Sequence, residues 1–182
     1  MKITNTNLKD CLIIENTVHK DNRGVFIETY QKKKFDEKIG MNINFVQDNF
    51  SLSTMGVMRG LHFQKKSPQG KLVRVLKGKV FDVVVDIREN SETFGSHFCL
   101  ELSDENYLQL WIPEGFAHGF LTLSNNAYFE YKCTDYYNKE DEDTINCKDP
   151  DLNIPWPSNI NTIISQKDED AKSFKDFINN LK

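Results

Sequence analysis

The chain has 182 residues, which suits one domain with a sizeable core, and its 23 Lys and Arg against 27 Asp and Glu give a formal net charge of −4. No block of Lys and Arg of the kind that follows a phosphate backbone occurs. No stretch approaches the roughly 20 apolar residues that span a bilayer, and residues 1–5 do not begin a signal core. We therefore expect a single domain over 1–182 in the cytoplasm, with neither nucleic acid nor membrane as partner.

The first predicted helix covers residues 31–39. Phe35 and Ile39 lie four residues apart and so share one helix face, and Gly40 supplies the left-handed residue that ends a helix. We place this helix on the surface. Cysteines follow no metal-binding or disulfide spacing, and we expect all four to be reduced, at Cys11, Cys99, Cys133 and Cys147.

Short runs rich in β-branched and aromatic residues alternate with turn residues through the middle of the chain, which is typical of an all-β sandwich or barrel. The runs lie at 45–49, 72–76, 80–87, 97–102, 107–112, 119–124 and 127–134. Their number suits two facing sheets. Lys77 and Gly78 supply one turn, and Asn125 with Asn126 predicts a hairpin between the last two runs.

The C-terminal region combines an extended arm with a helix. Three prolines within 149–161 favour an ordered extended arm over a helix. Beyond it, Phe174, Phe177, Ile178 and Leu181 recur at helical spacing, so an amphipathic helix is predicted over 168–181.

The most informative residues are Val-Met-Arg-Gly-Leu-His-Phe-Gln at 57–64 and Gly-Lys-Leu-Val-Arg at 70–74. They place His62 beside Arg59 and Lys71 on neighbouring β-type segments. A base beside fixed cations suits proton abstraction from an anionic substrate, and an ordinary histidine titrates near neutral pH. An isolated histidine is more often a hydrogen-bonded core residue, but the two nearby cations favour the functional interpretation.

A second motif, Pro-Glu-Gly-Phe-Ala-His-Gly-Phe at 113–120, has the Pro-x-Gly-x-x-His spacing of cupin jelly rolls and points His118 into the same cavity as His62. Alone it is equally consistent with a tight turn. Metal-binding cupins carry His-x-His and a carboxylate, whereas this chain has Gln64 and Lys71 at about those positions. A cation there disfavours a metal ion, so we expect no metal site.

Alternation along 129–133 puts Tyr131 on the same face as Phe129 and Cys133. A tyrosine that faces the cavity can deliver a proton, although buried tyrosines are more often structural. Arg23, in a turn, and the polar triplet 47–49 are ordinary features that can also contact an anion or a heterocycle.

Taken together, seven segments resemble the dTDP-4-dehydrorhamnose 3,5-epimerase family over nearly the whole chain. They are Asp-Asn-Arg-Gly-Val-Phe-Ile-Glu at 21–28, Phe-Val-Gln-Asp-Asn at 45–49, the segments 57–64, 70–74 and 113–120, Tyr-Lys-Cys-Thr-Asp-Tyr-Tyr at 131–137 and Ser-Gln-Lys-Asp at 165–168. The resemblance implies an all-β, cupin-type jelly-roll sandwich with short peripheral helices and a C-terminal helix. It also implies a homodimer that uses neither metal nor organic cofactor.

The resemblance further implies epimerisation at C3 and C5 of a nucleotide-linked sugar, dTDP-4-keto-6-deoxy-D-glucose. By match, His62 is the general base, Asp168 orients it, Tyr131 is the proton donor and Lys71 lies beside the C4 oxygen. Further matches to substrate-binding positions are Arg23, Gln47, Asn49 and Arg59 for the diphosphate and thymidine, Tyr137 for stacking on the nucleotide, Phe26 and Glu28 from across the dimer, and His118, Glu142 and Lys167.

One segment departs from the family pattern. After Glu142 the family usually reads x-Gly-Ile-x-Trp-x-Asp-Pro, whereas this chain has Thr144 and Cys147 in place of the glycine and tryptophan. We expect a local difference there that affects Glu142 first. Two other activities stay open: inversion of one carbon only or ketone isomerisation, and binding of a sugar nucleotide without catalysis.

Overall fold

The computed structural model describes residues 1–181, which form fourteen strands and three helices. The elements are β1 (Lys2–Asn5), β2 (Leu12–Glu15), β3 (Val18–Asp21), β4 (Gly24–Ile27), α1 (Lys32–Ile39), β5 (Gln47–Thr54), β6 (Val57–Gln64), β7 (Lys71–Lys77), β8 (Lys79–Asp86), β9 (His97–Ser103), β10 (Leu108–Ile112), β11 (Phe116–Thr122), β12 (Asn126–Cys133), β13 (Glu142–Thr144), β14 (Ile163–Ile164), α2 (Gln166–Glu169) and α3 (Phe174–Asn179). None of these helices is long and apolar enough to cross a membrane.

Two six-stranded sheets make up the body. The first has the order β1-β2-β10-β7-β12-β5, and the second has the order β13-β6-β11-β8-β9 with β14 added in parallel beside β6. The strands β3 and β4 form a separate hairpin. This architecture confirms the predicted all-β, cupin-type jelly roll.

Burial on both faces of the second sheet follows from the sequence of β8. Val80 and Val84 face the first sheet and pack in the core between the sheets, whereas Val83 and Val85 face outward and are equally buried, beneath α3 and the arm. Fully burying one such side chain stabilises a fold by about 1.5–3 kcal/mol. The C-terminal segment thus provides the apolar cover that a strand without a polar face needs.

The helix predicted at 31–39 is confirmed as α1. Gly40 adopts φ +77° and its N–H donates to the carbonyl of Asp36, as a left-handed helix end requires. Phe35 is buried against Trp111 and Leu72 on the outer face of the first sheet. The helix therefore covers the outer face of the first sheet, which contains β7 and β12.

One predicted connection differs from the structure, whereas the predicted turn at Lys77 and Gly78 is confirmed. The turn at Asn125 and Asn126 is not a hairpin, because β11 belongs to the second sheet and β12 to the first. Gly78 makes a similar crossing from β7 to β8 at φ +82°, where a Cβ would lie 2.1 Å from the carbonyl oxygen of Asn126. Sequence patterns identify such turns but not whether the chain changes sheet.

The continuous helix predicted over 168–181 is wrong. The chain forms α2 and α3 instead, and between them Lys172 makes a parallel bridge with Ile145. Ser173 starts the second helix, since its hydroxyl accepts the backbone N–H of Asp176 at 3.0 Å. Residues 149–161 form turns and extended segments, as predicted, with Trp156 packed edge-on against Phe81.

Candidate active site

A cleft lies between the two sheets and is lined by residues of both. Seven of the site residues predicted from the sequence line it: Arg59, His62, Lys71, His118, Tyr131, Tyr137 and Glu142. Of the lining residues, Ser51, Gln69 and Phe129 were not singled out from the sequence, because each is an ordinary strand or loop residue without a partner nearby in the chain.

His62 and Asp168 form a hydrogen-bonded pair at the cleft. The Nε2 atom of His62 lies 2.7 Å from Oδ1 of Asp168, and the side chains are 32% and 4% exposed. Burial raises the pKa of Asp168, but the hydrogen bond and charge of His62 outweigh it, and the pKa lies below its usual value. The ionised carboxylate fixes the proton on Nε2 and leaves Nδ1 as the free basic nitrogen.

Local structure explains how the carboxylate reaches the imidazole. Asp168 lies in α2, where its backbone N–H donates to the hydroxyl of Ser165 at 3.2 Å and completes the helix cap. Its second carboxylate oxygen accepts the backbone N–H of Gly60 at 3.4 Å. The motif at 165–168 therefore contributes one residue to the helix start and one to the site.

A second histidine–carboxylate pair lies beside the first. His118 on β11 is directly opposite His62 on β6, and its Nε2 lies 2.9 Å from Oδ2 of Asp82. Asp82 is fully buried, and its Oδ1 has no hydrogen-bond partner among the described residues. Sequence reasoning assigned Asp82 no role, although an acidic residue at a core-facing position of an apolar strand was a usable signal.

Glycine permits the close approach of these two strands. A Cβ on Gly60 would lie 2.6 Å from the carbonyl oxygen of His118, and Gly60 itself has φ +114°. A Cβ on Gly119 would lie 2.4 Å from the carbonyl oxygen of Arg59. The glycines that follow Arg59 and His118 in the two motifs thus bring the two histidines to the same cleft.

Lys71 is a buried cation at the start of β7, only 8% exposed. Burial lowers its pKa below the ordinary value, while the nearby carboxylates of Asp82 and Glu142 act in the opposite direction. The cleft thus holds a weakly hydrated ammonium group. Such a group stabilises a developing oxyanion more strongly in the cleft than it would in water.

Tyr131 on β12 faces the cleft with Phe129, as the alternation predicted. Burial raises its pKa to about 12, so the phenol keeps its proton at neutral pH. Because β12 belongs to the first sheet and β6 to the second, Tyr131 and His62 enter the cleft from opposite walls.

Polar residues are linked to one another at the end of the cleft. Glu142 accepts the hydroxyl of Tyr137 at 3.0 Å and also binds the ammonium group of Lys167. Burial raises the pKa of Glu142, but the hydrogen bonds from Lys167 and Tyr137 lower it by more than burial raises it. The pKa therefore lies below its usual value and the group is ionised. Gln47 accepts the backbone N–H of Tyr137 at 2.8 Å and donates to Asn49 at 3.0 Å.

Three predicted binding residues lie elsewhere. Arg23 and Phe26 lie on the β3–β4 hairpin, which is separate from the two main sheets. Phe26 is 69% exposed there, and Arg23 pairs with Asp21 at 2.6 Å. Glu28 pairs with Lys34 at 2.7 Å. Within one chain these side chains do not line the cleft.

The position that carries a second histidine in metal cupins is taken by a residue with a structural role. The amide of Gln64 donates to the carbonyl of Ser67 at 2.7 Å and accepts the N–H of Asn138 at 2.7 Å. No group of three or more His, Cys, Asp and Glu within the described residues is placed to hold a metal ion. The four cysteines are free thiols.

The segment that departs from the family pattern, with Thr144 and Cys147, is paired and packed in this chain. The strand β13 still pairs with β6, with Thr144 opposite His62 and Glu142 opposite Gln64. Cys147 packs its sulfur 3.2 Å from that of Met58, and its carbonyl accepts the indole N–H of Trp156 at 2.6 Å. Glu142 lines the cleft, and the expected local difference from the family stays a prediction.

Known proteins resemble the chain over almost all of its length. The family model for dTDP-4-dehydrorhamnose 3,5-epimerase matches residues 5–176. The dTDP-4-dehydrorhamnose 3,5-epimerase of Methanothermobacter thermautotrophicus is 49% identical over 173 residues, 94% of this chain and 93% of that protein. The crystal structure of the enzyme of that name from Elizabethkingia anophelis is 55% identical with a TM-score of 0.92, and the match covers 97% of each chain.

A second crystal structure that the chain resembles contains a sugar nucleotide. It is dTDP-6-deoxy-D-glucose-3,5-epimerase of Legionella pneumophila in complex with dTDP-4-keto-L-rhamnose. This protein is 51% identical to the chain with a TM-score of 0.93, and the match covers 96% of this chain and 93% of that one.

Proposed function

The chain belongs to the dTDP-4-dehydrorhamnose 3,5-epimerase family, and we propose how its cleft performs the reaction of that family. The protein is an isomerase that inverts C3 and C5 of dTDP-4-keto-6-deoxy-D-glucose to give dTDP-4-keto-L-rhamnose. The ketone at C4 acidifies the hydrogens on both neighbouring carbons, because either deprotonation gives an enolate with its charge on the C4 oxygen. One base, one cation and one proton donor therefore suffice for both inversions.

His62 is the base in this proposal. Its Nδ1 is free, its side chain is the accessible member of the 2.7 Å pair with Asp168, and that carboxylate stabilises the imidazolium formed when the ring takes a proton. This pair at the cleft is the observation that carries the proposal. Asp168 acts through the imidazole as a positioning residue.

Lys71 stabilises the enolate. Its buried ammonium group projects from β7 into the cleft. A preformed cation at the position of developing charge commonly makes the largest single contribution to catalysis. Because the C4 oxygen carries the charge in both enolates, Lys71 serves the inversion at C3 and at C5 alike.

Tyr131 returns the proton from the other side. Inversion requires that a carbon lose its proton on one face of the sugar and gain one on the opposite face, and the two groups come from opposite sheets. The raised pKa of about 12 keeps Tyr131 protonated until an enolate carbon accepts its proton.

The remaining polar residues of the cleft hold the nucleotide. Arg59 supplies a guanidinium group for the diphosphate, and the linked set at the end of the cleft, namely Gln47, Asn49, Tyr137, Glu142 and Lys167, supplies amides for the base, a ring for stacking and charged groups. His118 contacts the sugar beside His62.

We propose that the protein is a homodimer whose β3–β4 hairpin completes the cleft of the partner. Exposed apolar side chains on two elements support this: Val25 and Phe26 on the hairpin are 43% and 69% exposed, and Phe50 and Leu52 on the edge strand β5 are 58% and 52% exposed. Monomers rarely leave an unpaired apolar edge in water. We also propose that the protein is located in the cytoplasm, as its sequence predicts.

Complementation between inactive variants tests the shared site. His62→Ala and Arg23→Ala are made separately and then mixed under conditions that exchange subunits. If Arg23 serves the partner's cleft, a mixed dimer has one site with both residues intact, so about a quarter of all sites regain activity. If Arg23 serves its own cleft, mixing restores nothing.

Product analysis tests the reaction itself. Proton NMR follows dTDP-4-keto-6-deoxy-D-glucose with the protein in D2O, and His62→Ala is the control. Deuterium at C3 and C5 that is absent with the variant is the expected result. Label at one carbon assigns a mono-epimerase, and label at neither carbon with tight binding of the substrate assigns a binding protein.

A further inference from the structure

The segment 163–172 carries Asp168 along the edge of the second sheet. Its start, β14, pairs in parallel with the beginning of β6. Its end, Lys172, pairs in parallel with Ile145. Because α2 between them has only four residues, the position of Asp168 depends on these two flanking attachments.

The attachment at Lys172 leads directly back to the base. The carbonyl of Lys172 accepts the N–H of Asn146 at 2.9 Å, and Ile145 exchanges two backbone hydrogen bonds with Leu61, at 3.0 and 3.1 Å. Leu61 precedes His62 in β6. A closed path of bonded residues therefore runs from His62 through Leu61, Ile145 and Asn146 to Lys172 and back to Asp168.

An ion pair strengthens this attachment. The Nζ atom of Lys172 lies 2.5 Å from Oδ2 of Asp143, and the two side chains are 25% and 13% exposed. Asp143 lies on the face of β13 opposite Glu142, since neighbouring strand residues point to opposite faces. The pair is therefore outside the cleft and partly shielded from water, where an ion pair is worth more than on an open surface.

We propose that Lys172 is a positioning residue for the catalytic base: its ion pair with Asp143 fixes the downstream end of the segment 163–172 and so holds the Asp168 carboxylate on the imidazole of His62. This inference rests on the proposed role of His62. It adds to that role a charged contact on the far side of β13.

Lys65 provides a matched control within the molecule. Its Nζ also lies 2.5 Å from Oδ2 of Asp143, with the side chain 55% exposed. Lys65 directly follows β6, however, and joins it to β13, two strands that are already paired in register. Replacing Lys65 removes the same charge from the same carboxylate and leaves the segment 163–172 attached.

The competing explanation is that α3 alone anchors the segment. Phe174 and Phe177 are 8% and 5% exposed and pack in the outer core of the second sheet. If this apolar anchor fixes Asp168, then Lys172→Met and Lys65→Met lose similar small amounts of stability and leave the rate unchanged. The two explanations therefore predict different kinetics.

Kinetics of the two variants separate them. With Lys172→Met we expect kcat to fall by about 10-fold at unchanged KM, since a misplacement of about 1 Å can cost roughly 100-fold. Lys65→Met keeps the rate, and Lys172→Arg restores it.

Spectroscopy tests the position of Asp168 without catalysis. In protein with 15N-labelled histidine, the Nε2 proton of His62 should resonate far downfield, assigned by its absence in His62→Asn. It should persist in Lys65→Met and be lost in Lys172→Met, with Lys172→Gln measured in the same way if Lys172→Met does not fold. Equal behaviour of the Lys172 and Lys65 variants in rate and spectrum would overturn the inference.

The two proposals fail in different ways. A wild-type protein that exchanges no substrate deuterium but shows the spectral contrast would contradict the role of His62 and leave the positioning by Lys172 standing. An active wild type without the contrast would contradict only the positioning by Lys172.

Discussion

Two histidine–carboxylate pairs face the same cleft and differ in their surroundings. His62 and His118 oppose each other on neighbouring strands, with Nε2 to carboxylate distances of 2.7 and 2.9 Å. The side chain of His62 is 32% exposed and that of His118 only 9%, while their partners Asp168 and Asp82 are 4% and 0% exposed. The pairs have the same chemistry, so access distinguishes them.

The difference shows what a base needs beyond a carboxylate partner. Directly opposed strand residues have their Cβ atoms about 4.5–5.5 Å apart, and like charges at such separations disfavour each other. Of the two imidazoles, His62 is the more accessible from the cleft. We assign proton transfer to the accessible His62 and a supporting contact to the buried His118.

Replacing Lys71 by Met tests which group stabilises the enolate, and we expect the largest effect of the substitutions compared below. Loss of one preformed donor to an oxyanion costs ~3 to 4 kcal/mol, which lowers kcat by about 100- to 1,000-fold. The kcat and KM of Lys71→Met are compared with those of Lys65→Met, whose side chain lies outside the cleft. An unchanged kcat would show that another group stabilises the enolate.

Asparagine at each carboxylate compares the two pairs directly. Asp168→Asn keeps the shape but cannot stabilise an imidazolium, so we expect kcat to fall by about 100-fold, within the range of general-base catalysis. Asp82→Asn should cost about 10-fold or less by the same scale. Equal losses in the two variants would refute the asymmetry.

Removing the proton donor should separate exchange from inversion. In Tyr131→Phe, His62 still removes and returns protons on its own face, so deuterium enters the substrate while net inversion falls by about 10- to 100-fold. NMR measures exchange and product in the same tube. Parallel losses of exchange and inversion would place Tyr131 on the side of the base instead.

The alkaline limb of the rate profile should report Lys71. Burial lowers the pKa of this ammonium group, so its charge, and with it the enolate stabilisation, is lost as pH rises through that lowered value. Tyr131, with a pKa of about 12, stays protonated over the same range. Lys71→Arg should move the limb to higher pH, and an unmoved limb would assign it to another group.

Local patterns in the sequence predicted most of this arrangement. Alternation along strands put Tyr131 beside Phe129, and the spacing of two motifs put His62 and His118 in one cavity. Resemblance to a family added Asp168, which lies 106 residues from His62 in the chain, a contact that no local pattern can reveal.

The predictions that failed depended on tertiary structure. The apolar repeat at 174–181 was extended back to 168, but Lys172 pairs with Ile145 and breaks the helix there. The turn at 125–126 joins two sheets because closing a jelly roll decides which strands pair. Asp82 was overlooked because its partner His118 comes 36 residues later.

Deuterium entry at C3 in His62→Asn and His118→Asn, measured side by side in D2O with the same substrate, tests the asymmetry of the two pairs most directly. The account predicts that His62→Asn loses exchange by at least about 100-fold, the lower end of a general-base contribution, and that His118→Asn stays within about 10-fold of wild type. Exchange that persists in His62→Asn, or that is lost equally in both variants, would contradict it.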